Sequence, residues 1–290
     1  MPRPARAGRG RRLPLAWFVV LPFFLYAFLF LFLPAARVLV GAFQGVDGGI
    51  TLDNLRAVLD EPYRTDFRNS IEISLVTALA GGLLGFLAAY SAIREGTPRW
   101  VRSAFTTFSG VAANFAGIPL AFAFIATLGS IGVVTGFLTE LGFNPYEHGF
   151  TLFSKTGIEL AYIYFQIPLM FLVIAPAIDG LRREWREAAA NLGATPRQFW
   201  RHVGLPILTP SLLGATVLLF GNSFAAYATA YGLTGGGVPI VPIRIGYFLS
   251  GDVLSNPHLG QALALGMFVV LGLMMAVYVP LQRRASRWAR

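Results

Sequence analysis

Cysteine is absent from all 290 residues, which excludes disulfides, thiolate metal sites and a cysteine nucleophile. The only lysine is Lys155, so no GK[ST] phosphate loop exists and any ATP would have to be bound by another chain. Charge is scarce as well. Charged residues make up 13% of the chain against 55% hydrophobic, and the mean hydropathy is +0.62, outside the usual mix of a soluble domain. The three histidines, His148, His202 and His258, show no HExxH or comparable ligand spacing. Glu184 and Glu187 lie one helical turn apart, but Arg182, Arg183 and Arg186 surround them, which describes a salt-bridged helix rather than an acid/base pair. No catalytic residue and no metal site is nominated.

What the chain does have is long apolar runs. They predict an all-α integral membrane protein of six spans, at about 13–36, 69–93, 104–128, 156–178, 206–233 and 259–281. The first run is about 36 Å long as a helix, too long for the apolar region of a signal peptide and enough to cross a bilayer. Ser70, Ser74, Thr77, Gly81 and Gly85 form a small-residue stripe on the second, suited to close helix contact. Pro119 interrupts the third, which is read as one span followed by a short helix on the outer surface. Residues 1–12 and 283–290 are basic tails flanking a six-span domain at 13–282.

The net charge of +9 is not spread evenly. With six spans both termini share a side, and 17 basic residues then fall on that side against 5 on the other. The positive-inside rule makes the first side cytoplasmic, and a charge excess that serves orientation disposes of most nucleic-acid readings.

On the cytoplasmic side lies a polar interlude, residues 181–205. Leu181, Trp185, Ala188 and Leu192 share a helical face, and Gly193 suits a left-handed helix stop. Thr195, Pro196 and Gln198 read as N-cap, first helical residue and the far half of a capping box. A second short helix carries Phe199 and Trp200 up to Leu205 and Pro206. Small Ala188 and Ala189 would let a partner come close, with Trp185, Phe199 and Trp200 as rigid apolar anchors. A loop resting its aromatic residues on lipid headgroups would look the same by pattern. A DNA-binding helix-turn-helix is disfavoured by the membrane spans tethering both ends.

Glu187-Ala188-Ala189, Gly193, Ala194, Phe199 and Leu205-Pro206 resemble the EAA motif of type I ABC importer permeases, the binding-protein-dependent inner-membrane subunits. The resemblance covers about residues 13–282. It implies that this loop forms coupling helices seated in a groove of a cytoplasmic ATPase dimer, which would hold ATP and Mg. Glu187 would contact a cationic group there, and Gly193 would allow the bend. It also implies a second, homologous permease subunit, an external solute-binding protein and a bacterial inner membrane. The stretch from Phe224 through Gly235-Gly236-Gly237 to Arg244, with Asn256-Pro257, looks like the spermidine/putrescine-type branch, which also includes permeases for iron, thiamine and phosphonates.

Polar residues inside spans are candidates for a solute pathway, since lipid exposure makes them costly. Ser223, Tyr227, Tyr231 and Thr234 form a stripe on span five with Asn222 beside it. Glu159, Tyr162 and Gln166 share a face of span four, Asn114 lies in span three, and Glu72 near the outer end of span two. Each could equally bond a neighbouring helix. Two acids at an outer mouth favour a cation, hence a polyamine. A secondary transporter would usually show internal repeats or midplane charges, and neither is evident.

Overall fold

A computed structural model describes residues 16–45, 47–94, 96–250 and 256–286. The tail at 1–12, the first three residues of span one and the last four of the chain lie outside them. Among the described residues six helical stretches are long and apolar enough to cross a membrane: Val20–Gly41, Tyr63–Ile93, Ile118–Glu140, Lys155–Asp179, Pro196–Phe224 and Pro257–Arg284. In lipid the backbone must satisfy its own hydrogen bonds, and these apolar stretches do so as helices.

The centre is a pair of long helices, α4 (Tyr63–Ile93) and α8 (Lys155–Asp179), which touch along most of their length. The two glycines of the small-residue stripe lie in that contact. A Cβ at Gly81 would stand 2.4 Å from Gln166 Cβ, and one at Gly85 would stand 2.5 Å from the Ile167 carbonyl oxygen. A backbone carbonyl cannot swing aside as a side chain can. Gly85→Leu should therefore lower stability by roughly 3 kcal/mol, while Gly272→Leu, with nothing within 4 Å, serves as a neutral control; thermal unfolding in detergent compares them. Helix α11 (Leu205–Phe224) packs on α4 and α8, and α14 (Pro257–Ser286) packs on α11.

Span three is not one helix over 104–128. That run is divided between α5 (Arg99–Ala112) and α6 (Ile118–Leu128), joined by residues 113–117, and the stretch long and apolar enough to cross, Ile118–Glu140, combines α6 with the short helix α7 (Val133–Glu140). The break needs Gly117, whose φ of +75° is open to glycine, and Pro119 opens the next helix. The two halves together run along α8, with Phe105 stacked on Phe171 and both Phe115 and Phe124 edge-on to Tyr164. Span five likewise ends at Phe224 rather than at residue 233, and α12 (Ala228–Thr234) begins a separate helix. Here side chains from elsewhere take the backbone groups: the Tyr162 hydroxyl donates to the Ala226 carbonyl at 2.7 Å.

Two helices contain a widened turn, each just ahead of a proline. Leu33 donates to Phe28, and Leu205 donates to Trp200, both five residues back. Pro34 and Pro206 follow. In a regular helix the proline ring would meet the carbonyl four residues earlier, and the wider turn moves that carbonyl away. The consequence at Pro206 is continuity: the helix that starts at Pro196 runs through the widened turn Trp200–Gly204 into α11.

Candidate functional site

The polar interlude folds as a knob of two helices, α9 (Arg183–Asn191) and α10 (Pro196–Phe199). Helix α9 starts two residues later than the pattern suggests, because Arg182 is extended. Gly193 has φ +77°. Its N–H donates to the Ala190 carbonyl, and the Ala194 N–H to Ala189, both at 2.9 Å, which is the Schellman arrangement that closes a helix. The capping box predicted for the next helix is present: Gln198 N donates to Thr195 Oγ1, and Thr195 N donates to Gln198 Oε1 at 2.7 Å.

The knob presents Glu187, Ala188 and Ala190 outward, with Ala189 half-buried behind them. Glu187 accepts from Arg183 Nε at 2.7 Å. Of the three aromatic anchors, only Trp185 is exposed. Phe199 is buried, with the Arg186 guanidinium 5.8 Å from its ring centre. Trp200 lies edge-on to Tyr90 of α4, 4.9 Å between centroids, and a Cβ at Gly204 would come within 2.7 Å of its ring. Trp200 moors the knob to its own bundle, while Phe199 packs inside the knob between Arg186 and Trp200. The outward apolar partner of Trp185 is instead Leu192, 88% exposed, which the periodicity placed on the same face as Trp185 without singling it out. Leu205 is partly exposed and Pro206 half-buried, both within the continuous helix.

The two helix breaks meet. A cavity of about 290 Å³ is lined by Ala113, Ala116 and Gly117 from the first break, and by Asn222, Tyr227 and Thr229 around the second. The Gly117 N–H donates to Thr229 Oγ1 at 2.8 Å, tying the breaks together. Tyr227 stacks on Tyr231, 5.3 Å between centroids. Asn114 sits on the first break, exposed, its amide turned to the Gly110 carbonyl. Gly117 and Thr229 were not singled out from sequence, although a Gly-Ile-Pro inside an apolar run was the available signal.

The other pathway candidates are placed in helix contacts. Ser223 is buried against Thr77, 2.9 Å between hydroxyl oxygens. Tyr162 and Gln166 are buried, and Gln166 Nε2 donates to the Leu219 carbonyl at 2.7 Å. Thr234 bonds the Ala230 carbonyl within its own helix. Glu72 pairs with Lys155 at 2.5 Å, and Glu159 lies half-buried one turn further along α8. The span-five stripe is thus divided, because the break falls between Ser223 and Tyr227.

A third feature joins the far end of α4 to the loop after α12. Asp66, fully buried, accepts from Arg244 Nε at 2.7 Å and Nη2 at 3.2 Å. Arg244 belongs to α13 (Val241–Leu249) and lies over the Tyr63 ring. The hydrogen bond to Asp66 pushes its pKa above the ordinary guanidinium value. Val241 N donates to Ser70 Oγ, and Asn69 Nδ2 to the Pro239 carbonyl. Among the described residues there is no group of three or more histidines and acids placed to hold a metal.

Residues 81–287 match the family described as binding-protein-dependent transport system inner membrane component. The chain is 31% identical over 125 residues to the probable sulfate transport system permease protein cysT of Anthoceros angustus, covering 42% of this chain and 43% of that protein. It is 27% identical over 271 residues to the spermidine/putrescine transport system permease protein PotC homolog of Mycoplasma pneumoniae, covering 88% and 86%. The fold matches a bacterial ABC transporter involved in import of the acidic polysaccharide alginate, with a TM-score of 0.73 at 20% identity over 93% of this chain and 95% of that one.

Proposed function

Because the chain belongs to the family of binding-protein-dependent transport system inner membrane components, we propose that it is the permease subunit of an ATP-driven importer whose solute is a polyamine. Residues 183–204 are its docking element for a separate cytoplasmic ATPase dimer, which binds ATP and Mg. The observation that carries this reading is the continuity of the knob with α11. A push on Trp185, Glu187, Ala188 and Leu192 passes through Phe199, packed inside the knob, and the mooring at Trp200 into the helix that carries Asn222 to the cavity.

In this reading the membrane is a bacterial inner membrane, and the knob and both termini are cytoplasmic, which the 17 to 5 distribution of basic residues supports. The Asp66–Arg244 end then faces outward, where an external binding protein delivers solute. A second, homologous permease supplies the other half of the pathway. Alternating access follows when closure of the ATPases drives the knob and the broken helices change their opening.

Glu72 is paired with Lys155, so a cation is favoured by what the cavity lacks: the described residues lining it contain no basic side chain. The long match to a protein named for spermidine and putrescine agrees, and the sulfate-named relative defines the opposite outcome. The deciding experiment is to ask which solute the cognate binding protein retains, and to measure its uptake. Spermidine or putrescine supports the proposal, whereas sulfate overturns it. Like charges 4 Å apart at an effective dielectric of 20 repel by about 4 kcal/mol. Asn222→Lys should therefore cut spermidine uptake at least about tenfold, while an anionic solute would tolerate it.

A further inference from the structure

Helix α5 is a rod of about 21 Å whose two ends meet the two parts of the site. Near its start, Arg102 Nη2 donates to Asp179 Oδ2. Asp179 is the last residue of α8, four positions before α9 begins at Arg183. At its far end the rod stops at Ala112, and the residues that follow form one wall of the cavity. Between these points it rests on α8 through Phe105 and Phe171, and of its own side chains Ser109 and Ala112 alone are buried. Such a rod can slide or tilt on α8 with little loss of buried surface.

The Arg102 and Asp179 side chains are 51% and 38% exposed, and a pair so open to solvent contributes at most about 1 kcal/mol to stability. Its position carries more than its energy. It ties α5 to the one point of α8 that any displacement of the knob must move first. We propose that Arg102 is a positioning residue for transport: its pairing with Asp179 transmits the stroke received by the knob to α5, and through α5 to the Ala113–Gly117 wall of the cavity. This rests on the ATPase-docking reading above and adds a second route beside the one through α11.

The absence of cysteine makes the test clean. Ala116→Cys places a single thiol on the cavity wall, and its labelling by a maleimide is followed in vesicles holding the whole complex, with and without ATP, Mg and vanadate. With Arg102 in place the labelling rate should change about fivefold on trapping. Arg102→Ala should abolish most of that change at unaltered protein level and with ATP hydrolysis retained. Arg102→Asp combined with Asp179→Arg should restore it, while the thermal unfolding of both variants stays close to that of the parent, which a merely stabilising pair would not allow. An undiminished response in Arg102→Ala, no restoration by the exchanged pair, or a thiol that never responds would each overturn the latch. ATP hydrolysis is read on the same preparation, and its absence defeats the docking reading itself, separately from the latch.

Discussion

Gly193→Pro is expected to leave the membrane helices folded while lowering ATP-dependent uptake at least about tenfold, as loss of a central docking contact does. Gly193 sits at φ +77°, and proline holds φ near −65°. The substitution also deletes the N–H that bonds Ala190. Nothing lies within 4 Å of a Cβ at this position, so the damage comes from the backbone, where the ring Cδ also meets the Ala190 carbonyl, and it falls on the angle between α9 and α10. That angle sets where Glu187 and Trp185 stand relative to the moored Trp200. Gly193→Asn is the informative comparison, because asparagine visits the left-handed region at modest cost and should keep most of the uptake. Uptake and co-isolation of the ATPase are measured together, and they should fall together.

Breaking the Asp66–Arg244 pair should produce the largest loss of stability. The two partners are unequal: Asp66 is fully buried, while the Arg244 side chain is 29% exposed. Arg244→Ala leaves a carboxylate with no solvent and no counter-charge, at a cost of about 3–5 kcal/mol. Asp66→Ala leaves a cation that can turn toward water, and its cost should be smaller. Replacing both with leucine should recover most of the loss, since a buried ion pair exchanged for apolar packing is often neutral. Unfolding of the three variants in detergent checks the order. Equal losses for the two single variants would mean that Arg244 is held as rigidly as Asp66.

The knob was legible because its chemistry is local. Gly193 and the Thr195, Pro196, Gln198 cap act within a few residues of where they sit, so spacing alone specified the turn. The apolar runs specified the crossings for the same reason. The two helix breaks were not legible, since partners far away in sequence hold them open: Tyr162 reaches Ala226 across 64 positions and Gly117 reaches Thr229 across 112. Hydrophobicity continues across both breaks, and periodicity carried the helix through them. Phe199 and Trp200 read as outward anchors because a pattern does not say which neighbour an aromatic face will meet, and α4 supplies Tyr90. Asp66 stands just ahead of the second apolar run, and its partner lies 178 residues on, so nothing near it in sequence marks it.

The claim that residues 183–204 receive work from a separate ATPase is tested most directly by isolating the tagged chain from its own membrane and measuring ATP hydrolysis in the eluate. An ATP-hydrolysing chain should come with it, and Glu187→Ala together with Gly193→Pro should abolish both its retention and ATP-dependent uptake. A chain that purifies without any such partner, or a double variant that transports as well as the parent, would contradict the claim.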